Sequence, residues 1–335
     1  MSDLPTPLTI SEDAKARLKV MFIAKHALGD GTPHPTDGTH ATYHHEIRTV
    51  LEDIGLNLVL ADRYQSLFDR PDVDFVFPLL NRGGFLNSEM LLPLLCNRHS
   101  IPYLGASPII RGMSDDKHLT KMAARDAGVP TLDWAIFRRG APMEEAKMPK
   151  GERFVIKPNA SSASWGVSDA TDWPGVQAAV AKIHGEGHDA IVERFLSGHD
   201  IEVSVITMNG KPIILPTQMN VQADPTILRT YEEKRNLSDG PQRYKMVPYD
   251  DPEWLPQIYE YTYKLLPEYL PFDYGRWEFR LDPESGTLMF LEVNLNCNLW
   301  SKKTISISAG LAGMSHAELI ETILAESLSR NGLLP

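Results

Sequence analysis

Two carboxylates and an amide stand close together late in the chain. Glu278 lies in Arg276-Trp-Glu-Phe-Arg280-Leu, and Glu292 and Asn294 end the run Thr287-Leu-Met-Phe-Leu-Glu-Val-Asn. The stretch between them, Asp282-Pro-Glu-Ser-Gly286, is turn chemistry, so its flanks are predicted to pair as antiparallel strands. Centring the turn on Ser285 puts Glu278 opposite Glu292. It also puts Glu292 and Asn294 on one face, with Leu291 and Val293 on the other. Opposed carboxylates in an apolar hairpin repel and need compensation. A divalent cation supplies it, because Mg²⁺ takes hard oxygen donors such as two carboxylates and an amide oxygen. The plainer alternative is a surface hairpin with solvated acids. Arg276 and Arg280 flank Glu278 at two residues on either side and share its face. Either could stabilise a phosphoryl or acyl-phosphate transition state, or simply neutralise the acids; the second reading suits Arg280 better.

A phosphate ligand would need a cradle, and neither a Walker A nor a GxGxxG motif is present. Lys157 ends the apolar run Phe154-Val-Ile-Lys-Pro158 and precedes Asn159-Ala-Ser-Ser-Ala-Ser-Trp-Gly166. A loop of small residues after a strand lysine can wrap backbone N–H groups around phosphates. Downstream, Ala190-Ile-Val-Glu-Arg-Phe-Leu-Ser-Gly198 reads as a buried strand leaving through a polar hinge. An edge backbone there could pair with an adenine, and the Asp200 carboxylate could take ribose hydroxyls.

The elements that must carry these groups follow from punctuation and periodicity. A loosely ordered tail is expected over residues 1–17. Strands are expected at Lys19–Ala24, Asn57–Ala61, Asp74–Pro78 and Pro102–Gly105, alternating with helices over Thr39–Ile54 and Asn87–Arg98. That alternation predicts an open parallel α/β domain over 18–112. Ser114 is expected to cap a new helix that closes at Gly128 and Pro130. Short strands at 131–137, 154–157 and 190–193 with a helix near 175–184 suggest a small α+β unit over 113–193. Residues 194–335 read as a third unit carrying the acidic hairpin, with strands at Asp200–Thr207 and Pro212–Leu215 and helices at Glu253–Tyr269 and His316–Ser329.

Composition narrows the class. The chain has 335 residues, 33 Lys+Arg against 44 Asp+Glu, and a formal charge of −11. Such a balance argues against nucleic acid as a partner. No apolar run approaches the roughly 18 residues that span a bilayer, so no membrane is expected. The first twenty residues lack a continuous apolar core, so no secretory signal is expected. Two cysteines, Cys96 and Cys297, without a CxxC, fit reduced thiols in a cytoplasm.

The order of these parts resembles the ATP-grasp ligases of the D-alanine–D-alanine ligase type, from Lys19 to about Ser329. The resemblance rests on Ile101-Pro-Tyr-Leu-Gly105, Ser114-Asp-Asp-Lys117, Gly128-Val-Pro130, Val155-Ile-Lys-Pro158 to Gly166, Glu193-Arg-Phe-Leu-Ser-Gly198 with Asp200, Tyr231-Glu-Glu-Lys234, Arg276-x-Glu278 and Glu292-x-Asn294. It implies a three-domain ATP-grasp fold with α+β middle and C-terminal domains. It implies that Lys117, Lys157 and Ser164 contact ATP phosphates. Glu193, Arg194, Phe195 and Leu196 would hold the adenine, Asp200 the ribose, and Lys234 would sit on a mobile loop over the triphosphate. Glu278, Glu292 and Asn294 would hold two Mg²⁺ ions, or Mn²⁺ in their place, and Arg276 would stabilise the acyl phosphate. Relatives of this type are commonly dimers, so a homodimer is expected by analogy.

Departures from the family's pattern bear on substrate. The Glu, Ser and Tyr that read the first amino acid's ammonium fall near Thr39-His40, on Ala163, and on Arg235 or Asn236. A buried ammonium without its carboxylate costs several kcal/mol, so D-alanine is not expected as first substrate. After Asn294, where a Pro-Gly turn is usual, the chain continues Leu295-Asn-Cys-Asn-Leu-Trp-Ser-Lys-Lys303. Lys302 or Lys303 could grip a substrate carboxylate, or be solvated surface lysines. His40 and His44 share a helical face at a spacing compatible with a metal, although substrate contact by this loop is the preferred reading. Arg82, in Arg82-Gly-Gly84, is a second candidate for substrate contact, and Cys297 reads as a packing residue. The expected activity is an ATP-dependent carboxylate–amine ligase acting on small molecules. Two rivals are a D-alanine–D-alanine ligase with rebuilt substrate contacts and a non-catalytic ATP-binding regulator.

Overall fold

The computed structural model describes residues 4–80, 90–161, 164–228 and 244–334. Its first sheet is parallel, in the order β2-β1-β3, from β1 (Lys19–Ile23), β2 (Asn57–Ala61) and β3 (Phe75–Pro78). α1 (Glu12–Arg17) precedes it, with the Ser11 hydroxyl accepting from Ala14 N–H. The sequence reads a loose tail there, but Leu8 and Ile10 N–H donate to Thr322 and Glu321 and tie the segment down. Residues 102–104 make only a parallel bridge between Tyr103 and Val76 rather than the expected full strand. α2 (His40–Asp53) and α3 (Leu91–Arg98) cover the sheet's two faces, with Ile47 and Leu51 packing beside Phe22, Phe75 and Phe77, and Cys96 against Met21 and Val76.

α4 (Pro108–Asp115) and α5 (Lys117–Asp126) lead to the second sheet. Here the expected cap is corrected. Ser114 lies inside α4 and its hydroxyl donates to Arg111 O, while Asp116 caps α5 by accepting from Leu119 N–H at 3.0 Å. Position decides it: Ser114 is still inside α4, and the chain turns extended only at Asp116, directly ahead of α5. The second sheet is antiparallel, in the order β4-β7-β5-β6, from β4 (Trp134–Phe137), β5 (Phe154–Pro158), β6 (Ser168–Ala170) and β7 (Ala190–Arg194). α6 (Trp173–Gly185) buries Val176, Val180 and Ile183 on it.

The third sheet runs β11-β10-β8-β12-β13, with β9 beside β8. Its strands are β8 (His199–Met208), β9 (Lys211–Ile214), β10 (Gln218–Gln222), β11 (Tyr244–Pro248), β12 (Tyr274–Asp282) and β13 (Thr287–Leu295). Period-two patterning gives it two unlike faces. Ile201, Val203, Trp277, Phe279, Phe290 and Val293 pack under α7 (Leu255–Tyr269). The opposite face carries Asp200, Glu202, Arg276, Glu278 and Asn294. α8 (Thr304–Leu311) and α9 (His316–Arg330) join Ile206 and Met208 to the core of the first sheet. Among the described residues no helix is long and apolar enough to cross a membrane.

Candidate active site

The β12–β13 ladder does bring Glu278 opposite Glu292, but by a different route from the one the turn suggests. Near the turn Asp282 faces Thr287 and Phe279 faces Phe290, and an irregularity between Glu278 and Phe279 then shifts the register by one. The extra residue falls at Leu291, and burial alternation slips with it: Leu288, Phe290, Val293 and Leu295 are buried, whereas Leu291 and Glu292 are both half-buried. Leu291 therefore sits on the same side as Glu292, contrary to the simple alternation. A bulge of this kind re-aims a side chain, here a carboxylate, toward the polar face.

β12 has a second neighbour, and Glu278 is directly opposite Glu202 of β8 as well. Glu202 in turn faces Gln218 of β10. One row across four strands thus reads Gln218, Glu202, Glu278, Glu292. Three carboxylates side by side require counter-charge, and the structure supplies it locally. Arg276 donates to Glu278 Oε1 from Nε at 3.1 Å and lies 3.4 Å from Glu202 Oε2. Burial disfavours its charge, but Glu202 and Glu278 outweigh burial and hold the guanidinium firmly protonated. Asn294 Nδ2 donates to Glu278 Oε1 at 2.6 Å and to Glu292 Oε1 at 3.3 Å. Glu202 also accepts from Asn220 Nδ2 at 2.6 Å and from the Thr304 hydroxyl. Sequence reasoning missed Glu202, although its alternation with Asp200 and Ser204 on β8 already placed it on the charged face.

Lys157 arrives from β5 of the second sheet, and Lys117 and Lys121 from α5. Asn159 clips the start of α5 to the end of β5: Lys117 N–H donates to Asn159 O at 3.0 Å, and His118 N–H to its side-chain oxygen at 2.9 Å. This holds Lys117 Nζ 2.7 Å from Ser161 O and 3.3 Å from Glu292 Oε2. Lys157 and Lys121 both pair with the buried Glu193 carboxylate, one on each oxygen. Burial alone would raise the Glu193 pKa, but the two ammonium groups bring it down to about 2. Burial works against the Lys157 charge too, yet Glu193, Glu292 and Glu278 together raise its pKa. Lys121, fully buried, is pushed down by that burial and by its neighbour Lys157. Lys121 was not singled out from sequence, because one more lysine on an amphipathic helix carries no signal.

β7 is not an edge strand. β4 and β5 pair with it on both sides through Glu193, and Arg194 pairs with Phe154. The backbone leaves the sheet only afterwards, with Phe195 N–H donating to Arg153 O and Leu196 O accepting from Arg280 Nε at 3.2 Å. The Arg153 guanidinium stacks on the Phe195 ring. Gly198 then passes so close to β12 that a Cβ there would lie 2.1 Å from Leu281 O, and its φ of +107° is a conformation glycine adopts without strain. Arg280 donates to Asp200 Oδ1 at 2.7 Å and to Pro225 O, so its contacts are structural, as the plainer reading had it. Ser164, at φ +59°, lies at the second sheet's loop before Gly166.

The first unit meets the segment after Asn294 through α2. Glu46 accepts from Trp300 Nε1 at 3.0 Å, Ser301 N–H at 2.9 Å and the Ser301 hydroxyl at 3.0 Å, and the Tyr43 hydroxyl accepts from Leu299 N–H. Glu46 was likewise missed, since nothing local marks it. Lys302 is exposed with its Nζ 5.3 Å from the centre of the Trp300 ring, and Lys303 is half-buried just ahead of α8. His40 opens α2 edge-on to Tyr43 and His44. Burial pushes the Cys297 thiol up to about 12, in keeping with a packing role. Arg82, Lys234 and Arg235 lie outside the described residues.

A sheet-borne acidic row facing lysines from a second antiparallel sheet is the layout of an ATP-grasp protein. The solved D-alanine–D-alanine ligase of Bacillus anthracis complexed with ATP superposes with a TM-score of 0.72 at 17% identity, covering 94% of this chain and 99% of that one. The model for the D-ala D-ala ligase C-terminus matches residues 123–325. The uncharacterized protein y4sG of Sinorhizobium fredii is 28% identical over 257 residues, 72% of either chain. The D-alanine–D-alanine ligase of Synechococcus is 23% identical over 293 residues, 84% of this chain and 86% of that one. The chain belongs to the D-ala D-ala ligase family, ATP-grasp ligases that form carbon–nitrogen bonds.

Proposed function

We propose that this chain joins a small carboxylic acid to a small amine, with ATP as the phosphoryl donor and with neither nucleic acid nor a membrane as partner. The in-register facing of Glu278 and Glu292, with Asn294 touching both, carries this reading. Two carboxylates and an amide are the hard-oxygen donor set that Mg²⁺ takes, and turning the Asn294 amide over would present its oxygen where its nitrogen now sits. Glu278, Glu292 and Asn294 would hold the metal, which when bound neutralises phosphate charge and polarises the transferred group.

The chain's own groups would divide the remaining work. Lys117 at the start of α5 and Lys157 on β5 would bind phosphate oxygens, with Ser164 assisting from the loop. Glu193, shared with Lys121, keeps Lys157 protonated and aimed. The chain leaving β7 at Phe195 and Leu196 would face the adenine and Asp200 the ribose, so that nucleotide lies between the 113–193 and 194–335 units; Lys234 would close over it. An oxygen of the substrate carboxylate takes the γ-phosphoryl group, giving an acyl phosphate and ADP. Attack by the amine then expels phosphate and leaves an amide. Arg276, locked by Glu202 and Glu278, would face the oxyanion of the second step.

The acid and amine are small molecules, at least one of them an amino acid or a specialised metabolite. Glu46 holding Trp300 and Ser301 supports a rebuilt pocket, which His40, Arg82, Arg235, Lys302 and Lys303 would line. A cytoplasmic homodimer is the proposed setting. A second reading, a D-alanine–D-alanine ligase with altered contacts, draws support from the Synechococcus relative's name. Phosphate release with Mg-ATP over a panel of acids and amines, D-alanine included, tests both readings, with products identified by mass spectrometry. Release that needs an acid and an amine together supports the ligase; no release from any pair, with ATP still bound, favours a regulator.

A further inference from the structure

The loop after β1 gathers imidazoles and a carboxylate that take no part in the acidic row. Two backbone bonds, His34 N–H to Gly38 O at 3.0 Å and Gly38 N–H to His34 O at 2.7 Å, close a tight turn that holds His34 and Asp37 together. His26 is fixed from the other side, its backbone N–H donating to His44 Nδ1 at 3.2 Å and its ring lying 5.0 Å from that of His34. His26 Nε2 stands 3.0 Å from Asp37 Oδ2. Ligand atoms of His26, His34 and Asp37 all lie within 4.8 Å of one another. The metal-compatible pair read from sequence, His40 and His44, is not the one the fold assembles: His44 spends a ring nitrogen on the His26 backbone.

We propose that His26, His34 and Asp37 form a site for a divalent transition-metal ion of the zinc class. Donor atoms around such an ion sit about 2.0–2.2 Å from it and so roughly 3.3 Å from each other. The His26–Asp37 edge, at 3.0 Å, is somewhat shorter than that, and the two must part slightly while His34, exposed on its turn, moves in to complete the face. Thr36 N–H donates to His34 Nδ1 at 3.3 Å and its hydroxyl lies 3.1 Å from the same atom, so Nδ1 is the accepting nitrogen, and ligation through Nε2 requires the ring to give up the Thr36 N–H bond. Two nitrogens and one oxygen suit zinc better than magnesium, and three protein ligands leave a fourth position for water or a small donor. Lys25, paired with the same Asp37 oxygen, competes with the ion. This site is independent of the ligase reading.

The test is calorimetric titration of Zn²⁺ into the chelator-stripped full chain, with visible absorption of the Co²⁺ form as a second probe. One zinc per chain is expected, undisplaced by excess Mg²⁺, with affinity reduced about 10–100-fold or more in His34→Ala and Asp37→Asn. Lys25→Met should bind zinc as tightly or more tightly. Circular dichroism checks that the variants are folded. Absence of zinc uptake by the unmodified chain, or uptake by folded His34→Ala equal to it, overturns the proposal.

Discussion

Glu202 and Glu278 lie directly opposite each other on adjacent strands, and Arg276 bridges them, 3.4 Å from one and 3.1 Å from the other. The proposed oxyanion group is thus held by two carboxylates rather than one. Glu202 also takes Asn220 and Thr304, so it couples Arg276 to the start of α8. In Glu202→Gln the shape and most hydrogen bonds persist but half of the counter-charge is lost. We expect kcat to fall about 10–100-fold, below the roughly 10²–10³ expected for Arg276→Ala, with nucleotide affinity unchanged. Steady-state kinetics beside equilibrium ATP binding check this, and an unaltered kcat would make Glu202 merely structural.

Glu292 meets Lys117 and Asn294, at the end of the row nearest the second sheet. Glu292→Gln should raise the Mg²⁺ concentration for half-maximal activity by about tenfold or more, the order of effect that altered metal surroundings produce. A Mg²⁺ titration of rate at saturating ATP measures it. Unchanged metal dependence would remove Glu292 from the ligand set.

Glu193 is buried between two lysines, and the fully buried Lys121 depends on it. Glu193→Gln strands that ammonium and should cost about 3–5 kcal/mol in denaturant unfolding. Lys157→Met leaves the Glu193–Lys121 pair in place and should cost far less stability while abolishing turnover.

The same pair sets an acid limit. With its folded pKa depressed from the ordinary 4.5 to about 2, Glu193 binds fewer protons in the folded than in the unfolded chain. Its stabilisation is fully present above pH 4.5 and is lost as pH falls from there through about 2. Urea unfolding midpoints across that window should fall less steeply in Glu193→Gln than in the unmodified chain.

Glu46 ties α2 to Trp300 and Ser301 through three hydrogen bonds. Glu46→Ala should therefore loosen the segment after the acidic hairpin. The expected signature is a raised KM for the amine or acid with ATP KM unchanged, once substrates are in hand.

Much of this site was legible because strand chemistry is periodic. A turn sequence and two-residue spacing were enough to find the hairpin and to put Arg276 on the face of Glu278, but Glu278 meets Glu292 because a turn one half-residue off the expected centre is offset by a bulge. The bulge at Leu291 was not legible, since nothing in a run of apolar residues marks where one is extra. Had the bulge been absent, the turn actually used, one that opposes Asp282 and Thr287, would have set Glu278 against Leu291. Glu202 and Gln218 entered the row only through strand order, which hydrophobic patterning does not reveal. Lys121 and Glu46 act across sequence separations too long for local signals, and Ser114 misled because it lies inside a preceding helix, α4, whose closing residue, Asp116, is also the next helix's cap. Three strands of the first parallel sheet were readable, the fourth expected at 102–105 is only a bridge, and α1 was hidden by prolines and charge.

The most direct test of the central claim follows an oxygen. With a productive acid–amine pair, the acid is supplied with both carboxylate oxygens as ¹⁸O, and the phosphate released from ATP is examined by mass spectrometry. Reaction through an acyl phosphate transfers one label to inorganic phosphate and keeps the other in the amide carbonyl. Label appearing in AMP, or phosphate released without label while amide forms, would contradict the account.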